Sequence, residues 1–122
     1  MEKRWRNFLR ICIDIDGVLC QLRKSDESYG DLLPIEGAAE SLVLLRSQGH
    51  YIILFTARHM KSMNSNLGLV VATQGQVTLD WLRIHGFVYD EIYFGKPYAD
   101  LYIDDLALRF TSWENILGKL QN

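Results

Sequence analysis

Two aspartates separated by one residue are the most informative chemical feature of this 122-residue chain. Asp14 and Asp16 follow the apolar run 9–13 and precede Gly17. The run predicts a strand buried on both faces, so the two carboxylates stand where loss of solvation makes a charge unfavourable. A divalent cation would compensate them, and Mg²⁺ is the cation that such hard oxygen ligands prefer. The pair therefore predicts a cation-dependent reaction that uses both carboxylates.

Polar side chains also follow the other predicted strands, and they could take part in the same reaction. These side chains are Thr56, Lys96, Asp104 and Asp105. In an open parallel α/β sheet, ligands bind outside the carboxyl ends of the strands. The topology would therefore bring residues that are far apart in sequence to one edge of the sheet.

A phosphate ester bound at that edge would meet the groups that phosphoryl transfer requires. Asp14 could attack phosphorus and form an aspartyl-phosphate. Asp16 could protonate the leaving oxygen and then activate water, since side chains at i and i+2 of an extended segment point to the same side. Thr56 and Lys96 could stabilise the phosphoryl oxygens. Mg²⁺, held by carboxylates from two strand ends, would offset the repulsion between phosphate and nucleophile.

The elements that must position these groups alternate between strands and helices. The apolar patterns predict strands at 9–15, 51–55, 91–94 and 100–103, and helices at 36–48, about 74–85 and from Trp113 onward. Thr73 with Gln76, and Thr111 with Glu114, have the spacing of capping boxes. The order β-α-β-α-β-β-α predicts an α/β fold, a three-layer Rossmann-like sandwich with a central parallel sheet.

Three further segments are interpreted from their composition. The polar stretches 20–34 and 58–66 are predicted to be loops. The apolar stretch 67–72 has three open interpretations, namely a buried segment, a subunit contact or a segment that helps to close the site.

Length and composition indicate one globular domain, residues 1–122. A net charge of -2 gives no general attraction to nucleic acid or to an anionic membrane. No apolar run approaches the ~20 residues of a membrane span, and the N-terminal run is interrupted by the aspartates, which argues against a signal peptide. Cys12 and Cys20 lack metal-ligand spacing and are interpreted as reduced thiols. We therefore expect a cytoplasmic protein that acts on a small phosphorylated substrate, and a homo-oligomer remains open.

Four segments of the chain together resemble the signatures of the haloacid dehalogenase superfamily, in its phosphatase branch. They are Asp14-Ile-Asp-Gly-Val-Leu19, Ile53-Leu-Phe-Thr-Ala-Arg58, Lys96-Pro97 and Tyr102-Ile-Asp-Asp105, which together anchor about residues 10–106. The second aspartate of the first signature distinguishes phosphatases from dehalogenases. The resemblance implies that Asp14 is the nucleophile and Asp16 the general acid and base.

The same resemblance implies the ligands of the metal and the contacts to the substrate. Mg²⁺ would be held by Asp14, by the main-chain carbonyl of Asp16 and by the acidic pair Asp104 and Asp105. The resemblance does not decide which residue of the pair is the direct ligand. Thr56 and Lys96 would hold the phosphoryl group. The substrate-binding residues predicted on this basis are Thr56, Ala57, Arg58 and Lys96.

Two details narrow the resemblance within the superfamily. The Thr56-Ala57-Arg58 element and the helix 77–87 are similar to small bacterial phosphatases linked to capsule or surface-polysaccharide biosynthesis. Thr-x-Arg is also similar to the phosphatase domain of polynucleotide kinases. The intervals 17–33 and 59–73 are too short for a separate cap domain, so a capless site covered by loops or by another subunit is expected.

Two hypotheses from different functional classes follow. The first is a Mg²⁺-dependent phosphatase that acts on a phosphate monoester, such as a sugar or polyol phosphate. Within that class, polynucleotide 3'-phosphatase activity and phosphoryl transfer to an acceptor other than water remain open. The second hypothesis is a non-catalytic phosphate-binding regulatory module. The sequence does not specify which ester is the substrate.

Overall fold

A computed structural model describes residues 8–120. Its sheet has three parallel strands in the order β1-β2-β3. The strands are β1 (Arg10–Asp14), β2 (Tyr51–Thr56) and β3 (Glu91–Phe94), and the helices are α1 (Ala38–Ser47), α2 (Leu67–Ile84) and α3 (Trp113–Leu120). The predicted α/β fold with a central parallel sheet is confirmed. The predicted domain, residues 1–122, extends outside the described residues. The start of the N-terminal segment, for which a signal peptide was argued against, also lies outside them.

The register of the sheet brings the strand ends to one edge. Asp14 pairs with Phe55, and the next residue of β2, Thr56, pairs with Phe94. Lys96 follows two residues after β3 ends. The three predicted strand-end groups Asp14, Thr56 and Lys96 therefore face the same crevice, where parallel sheets bind ligands.

One face of the sheet supplies most of the core. Alternate residues of β2, among them Ile52 and Leu54, are fully buried, as period-2 alternation requires. They belong to one apolar cluster with Leu45 of α1 and Trp81 of α2. The indole Nε1 of Trp81 donates to the carbonyl of Leu32 at 2.7 Å, which ties α2 to the segment before α1.

The opposite face of the sheet is less covered. Cys12 is exposed, and Ile53, Phe55 and Tyr93 all keep part of their surface in solvent. The thiols of Cys12 and Cys20 are both free. None of the helices that the structure describes has the length and hydropathy needed to cross a bilayer.

Helix α2 begins earlier than the sequence pattern predicts, and the capping box at Thr73 is wrong. Asn66 is the N-cap, and its side-chain oxygen accepts from the main-chain N–H of Leu69 at 3.1 Å. Thr73 lies inside the helix and donates to the carbonyl of Leu69 at 2.9 Å. The ambiguous stretch 67–72 is therefore the first part of α2, with Val70 buried.

The fourth strand predicted at 100–103 is also wrong. The segment 95–112 is irregular, and Leu101 and Ile103 are exposed. A strand exists only where a partner pairs with it, and no described strand pairs with this segment. The capping box at Thr111 is wrong by one residue, because Ser112 Oγ accepts from the N–H of Asn115 at 3.0 Å.

Candidate active site

Asp14 ends β1 and forms an ion pair across the sheet edge. Its Oδ2 accepts a hydrogen bond from Lys96 Nζ at 3.0 Å, and its side chain is one-third exposed. Burial raises the pKa of Asp14 above its usual value, the Lys96 ammonium opposes that rise, and the nearby Asp16 charge adds to it. Asp14 is thus a partly desolvated carboxylate beside a cation, as a nucleophile toward an anionic ester requires.

The turn after β1 carries Asp16 to the same edge. Gly17 has a φ of 87°, a conformation that disfavours residues with a Cβ. The carbonyl of Ile15 accepts from the N–H of Leu19 at 2.9 Å, which closes the turn. This tight turn directs the Asp16 carboxylate toward the end of β2.

Both oxygens of Asp16 are held by groups from β2 and the segment after it. Thr56 Oγ1 donates to Oδ2 at 2.8 Å, and Arg58 Nε donates to Oδ1 at 2.9 Å. Thr56 Oγ1 also accepts from the main-chain N–H of Arg58 at 3.1 Å, so the two donors hold each other in place. The Asp16 carboxylate is therefore held in one orientation.

Arg58 is a buried cation with a partner for each of its guanidinium nitrogens. Its side chain has no exposed surface. Nη1 donates to Thr78 Oγ1 at 3.1 Å and Nη2 to Cys20 Sγ at 3.5 Å. The guanidinium carbon lies 4.3 Å from the centroid of the Tyr29 ring. This geometry gives Arg58 a positioning role toward Asp16, and the substrate contact expected of it stays a prediction.

The sequence interpretation missed three residues around Arg58, namely Cys20, Tyr29 and Thr78. Burial raises the pKa of Cys20 to about 11, with the Asp16 charge adding to the shift, so its thiol acts as a neutral neighbour of the ion pair. Thr78 is a fully buried polar residue of α2, three residues before Trp81. That placement, a polar residue on an apolar helical stripe, was the one available sequence signal.

Lys96 is positioned by the turn that leaves β3. Gly95 has a φ of 100°, and the main-chain N–H groups of Gly95 and Lys96 both donate to the carbonyl of Thr56, at 3.2 and 3.1 Å. The Lys96 ammonium lies 4.1 Å from the centroid of the Tyr102 ring. The end of β2 thereby fixes the lysine opposite Asp14.

Asp104 and Asp105 are not brought into this cluster. Both are exposed, and Asp104 Oδ1 accepts from the N–H of Leu106 at 2.8 Å, a local turn bond. Within residues 8–120, no three acidic, histidine or cysteine side chains lie close enough to hold a metal. The residues at the sheet edge fit Mg²⁺ only in part. Asp14 and the main chain of Asp16 supply hard oxygen donors, but Asp104 and Asp105 do not lie beside them. The metal ligand set stays a prediction.

A cavity of about 720 Å³ opens beside the cluster. Asp16, Ala57, Arg58 and His59 are among the residues that line it. Its volume lies within the range of small-molecule sites. Ala57, predicted as a substrate contact, therefore borders the space that a ligand would enter.

The structure is similar to two solved structures. A crystal structure of a protein from Vibrio cholerae matches with a TM-score of 0.77 and 31% sequence identity, over 94% of this chain and 98% of that one. The chain belongs to the same family as that protein. D,D-heptose 1.7-bisphosphate phosphatase from B. bronchiseptica, complexed with magnesium and phosphate, matches with a TM-score of 0.51 and 19% identity.

The second match covers 83% of this chain and 54% of the phosphatase. At this identity the match shows a shared fold alone. No family model and no curated protein matches the sequence.

Proposed function

We propose that this protein is a Mg²⁺-dependent phosphatase that hydrolyses a phosphate monoester through an aspartyl-phosphate. One observation carries the proposal. Two carboxylates stand side by side at the sheet edge in different surroundings, Asp14 beside the Lys96 ammonium and Asp16 between Thr56 and Arg58. Two carboxylates in different environments suit two different tasks, attack and proton transfer. The fold shared with a magnesium-containing phosphatase supports the same reaction class.

In the first step, an Asp14 carboxylate oxygen attacks phosphorus and the bond to the ester oxygen breaks. The leaving oxygen receives a proton from the carboxyl group of Asp16. Lys96 already donates to Asp14, so its ammonium stands where charge develops on the phosphoryl oxygens. When bound, Mg²⁺ held by Asp14 and the main-chain carbonyl of Asp16 would offset the repulsion between the phosphate and the nucleophile.

In the second step, Asp16 takes a proton from water as the water oxygen attacks phosphorus. The bond between phosphorus and Asp14 breaks, which releases inorganic phosphate and regenerates the Asp14 carboxylate and the protonated Asp16 carboxyl group. Thr56 and Arg58 hold Asp16 in one orientation for both proton transfers.

For the substrate, we favour a small phosphorylated metabolite, such as a sugar or polyol phosphate used in surface-polysaccharide synthesis. The neighbour of shared fold acts on a heptose bisphosphate. The segment between β1 and α1 holds only a 3-10 turn, Tyr29–Asp31, as a regular element, which is consistent with a capless site.

The test is release of inorganic phosphate from an aryl phosphate, with and without Mg²⁺. Wild type should turn over only with the metal, and Asp14→Asn should lose at least about a thousandfold in kcat, as removal of a nucleophile does. Lys119→Gln, an exposed change on α3, is the control and should be unaffected. Metal-dependent turnover that survives Asp14→Asn would refute the assignment.

The same assay separates the alternatives. A protein that binds Mg²⁺ and phosphate but turns over no member of a broad ester panel is the regulatory module. Product analysis in the presence of alcohols detects phosphoryl transfer in place of hydrolysis.

A further inference from the structure

The cavity beside Asp16 contains two cations that the proposed reaction does not use. Arg23 lines it from the segment between β1 and α1, and Lys61 from the segment between β2 and α2. Both side chains are exposed. They come from two different segments of the chain and line one cavity, so a ligand of small-metabolite size could meet both.

Each of these cations is directed by an aromatic ring. The Arg23 guanidinium carbon lies 5.2 Å from the Tyr29 ring centroid, and Lys61 Nζ lies 5.2 Å from that of Tyr98. Cation–π contacts of this kind restrain a long side chain without neutralising its charge. Arg23 also donates to the carbonyl of Glu27 at 2.9 Å, which restrains its side chain further.

The cavity is short of negative charge. Among residues 8–120, neither Arg23 nor Lys61 forms an ion pair with a carboxylate. The one acidic side chain that lines the cavity within that range is Asp16, which Arg58 already compensates. This excess of positive charge occurs in a chain whose net charge is -2, so it is a local feature rather than a general property of the surface.

The surroundings of His59 show the same local excess of positive charge. Its ring lies edge-on to Tyr29, with centroids 5.4 Å apart, and its Nδ1 is 3.1 Å from Ser62 Oγ. Its pKa is lowered by burial first and then by the charges of Arg23 and Arg58. A second anion placed here would therefore be attracted by several groups at once.

The position of Asp16 indicates which part of a substrate occupies the cavity. Asp16 lines the cavity, whereas Asp14 is not among its lining residues. In the proposed function, Asp16 protonates the leaving oxygen while Asp14 binds phosphorus. The leaving alcohol therefore extends into the cavity, toward Arg23 and Lys61.

We propose that the preferred substrate is a small phosphate ester whose alcohol portion carries a second anionic group, bound by Arg23 and Lys61. That group is a phosphate or a carboxylate, which the two cations recognise through the same charge-assisted hydrogen bonds. Tyr29 and Tyr98 also line the cavity and add aromatic surface to it. This inference rests on the proposed phosphatase activity and adds the substrate class.

The experiment compares kcat/KM for three matched esters, namely glucose 6-phosphate, 6-phosphogluconate and glucose 1,6-bisphosphate. The first has an uncharged alcohol portion, the second a carboxylate and the third a phosphate. We expect wild type to prefer the two anionic esters by about tenfold or more, and the preference to shrink with added salt. The better of the two identifies the second group.

The variants Lys61→Gln and Arg23→Gln should each reduce that preference by about threefold, the size expected for an exposed ion pair, with little change for glucose 6-phosphate. Lys119→Gln removes the same charge outside the cavity and should leave the preference intact. Lys61→Gln is the more decisive variant because Arg23 also bonds to loop carbonyls.

Equal kcat/KM for the three esters, or an unchanged preference in Lys61→Gln, would overturn the inference. Preference for an oligonucleotide 3'-phosphate over all three would also overturn it. Turnover of an aryl phosphate without any preference leaves the proposed function standing and removes only this inference. If no ester turns over, calorimetric binding of the three ligands decides: tighter binding of the anionic pair supports the second-anion site, and equal binding refutes it.

Discussion

Replacing Arg58 by methionine removes the buried cation that holds Asp16. The change keeps most of the side-chain volume but deletes the Nε bond to Asp16 at 2.9 Å and the Nη1 bond to Thr78 at 3.1 Å. Breaking a buried ion pair from one side costs about 3–5 kcal/mol of stability. Because the Asp16 side chain is 20% exposed, water can recover part of that, and we expect a loss of about 3 kcal/mol at neutral pH.

Urea denaturation followed by circular dichroism measures this loss, and Arg83→Met is the matched control. Arg83 is 73% exposed, and its contact with Asp80 is 3.6 Å long, so its removal should change stability by less than about 1 kcal/mol. The double-mutant cycle with Asp16→Asn should give a coupling energy of about 2 kcal/mol between Arg58 and Asp16. If Arg58→Met costs no more than Arg83→Met, the guanidinium does not position Asp16.

Three further predictions concern stability and pH dependence. The pKa of Asp14 is raised in the folded state, so the stability of the fold decreases as pH rises from the unfolded value of 3.8 through the folded pKa. The variant Asp14→Asn should therefore melt a few degrees higher than wild type at pH 7. A lower melting temperature of the variant would contradict this. Lys96→Met removes a charge that lowers the pKa of Asp14. The acid limb of the pH profile of kcat/KM should therefore move to higher pH, and kcat should fall about a hundredfold. An acid limb that does not move would argue against the interaction of Asp14 with Lys96. Asn66→Ala should reduce the free energy of unfolding by about 1 kcal/mol, because the N-cap of α2 is lost. Thr73→Ala should reduce it by less than about 0.5 kcal/mol. The reverse order in urea titrations would place the cap at Thr73.

The parts of the fold that the sequence predicts well depend on local signals. The run 9–13 before Asp14, and the runs before Thr56 and Lys96, are apolar stretches bounded by polar or turn residues. Such boundaries locate strand ends, and parallel topology then brings those ends together. The meeting of Asp14 and Lys96 at one edge of the sheet followed from that reasoning, because both residues lie at or just after strand ends, whereas the ion pair between them is a finding of the structure.

The errors arise where structure depends on distant partners or on weak caps. The stretch 100–103 is apolar enough for a strand, but pairing depends on a neighbour that no local pattern encodes. Asn66 caps α2 without a Glu or Gln three residues later, so the Thr73 spacing was the more visible signal. The contacts of Arg58 with Cys20 and Thr78 join residues 38 and 20 positions apart, and only tertiary packing determines them.

The most direct measurement of the central claim is mass spectrometry of the acid-quenched reaction. An aryl phosphate is mixed with Mg²⁺ and either wild type or Asp16→Asn, the reaction is stopped in acid, and the peptide that contains residues 14–16 is analysed. We predict a phosphoryl group on Asp14, and more of it in Asp16→Asn because water is no longer activated in the second step. Release of phosphate with no modification of Asp14 in either protein would contradict the aspartyl-phosphate mechanism.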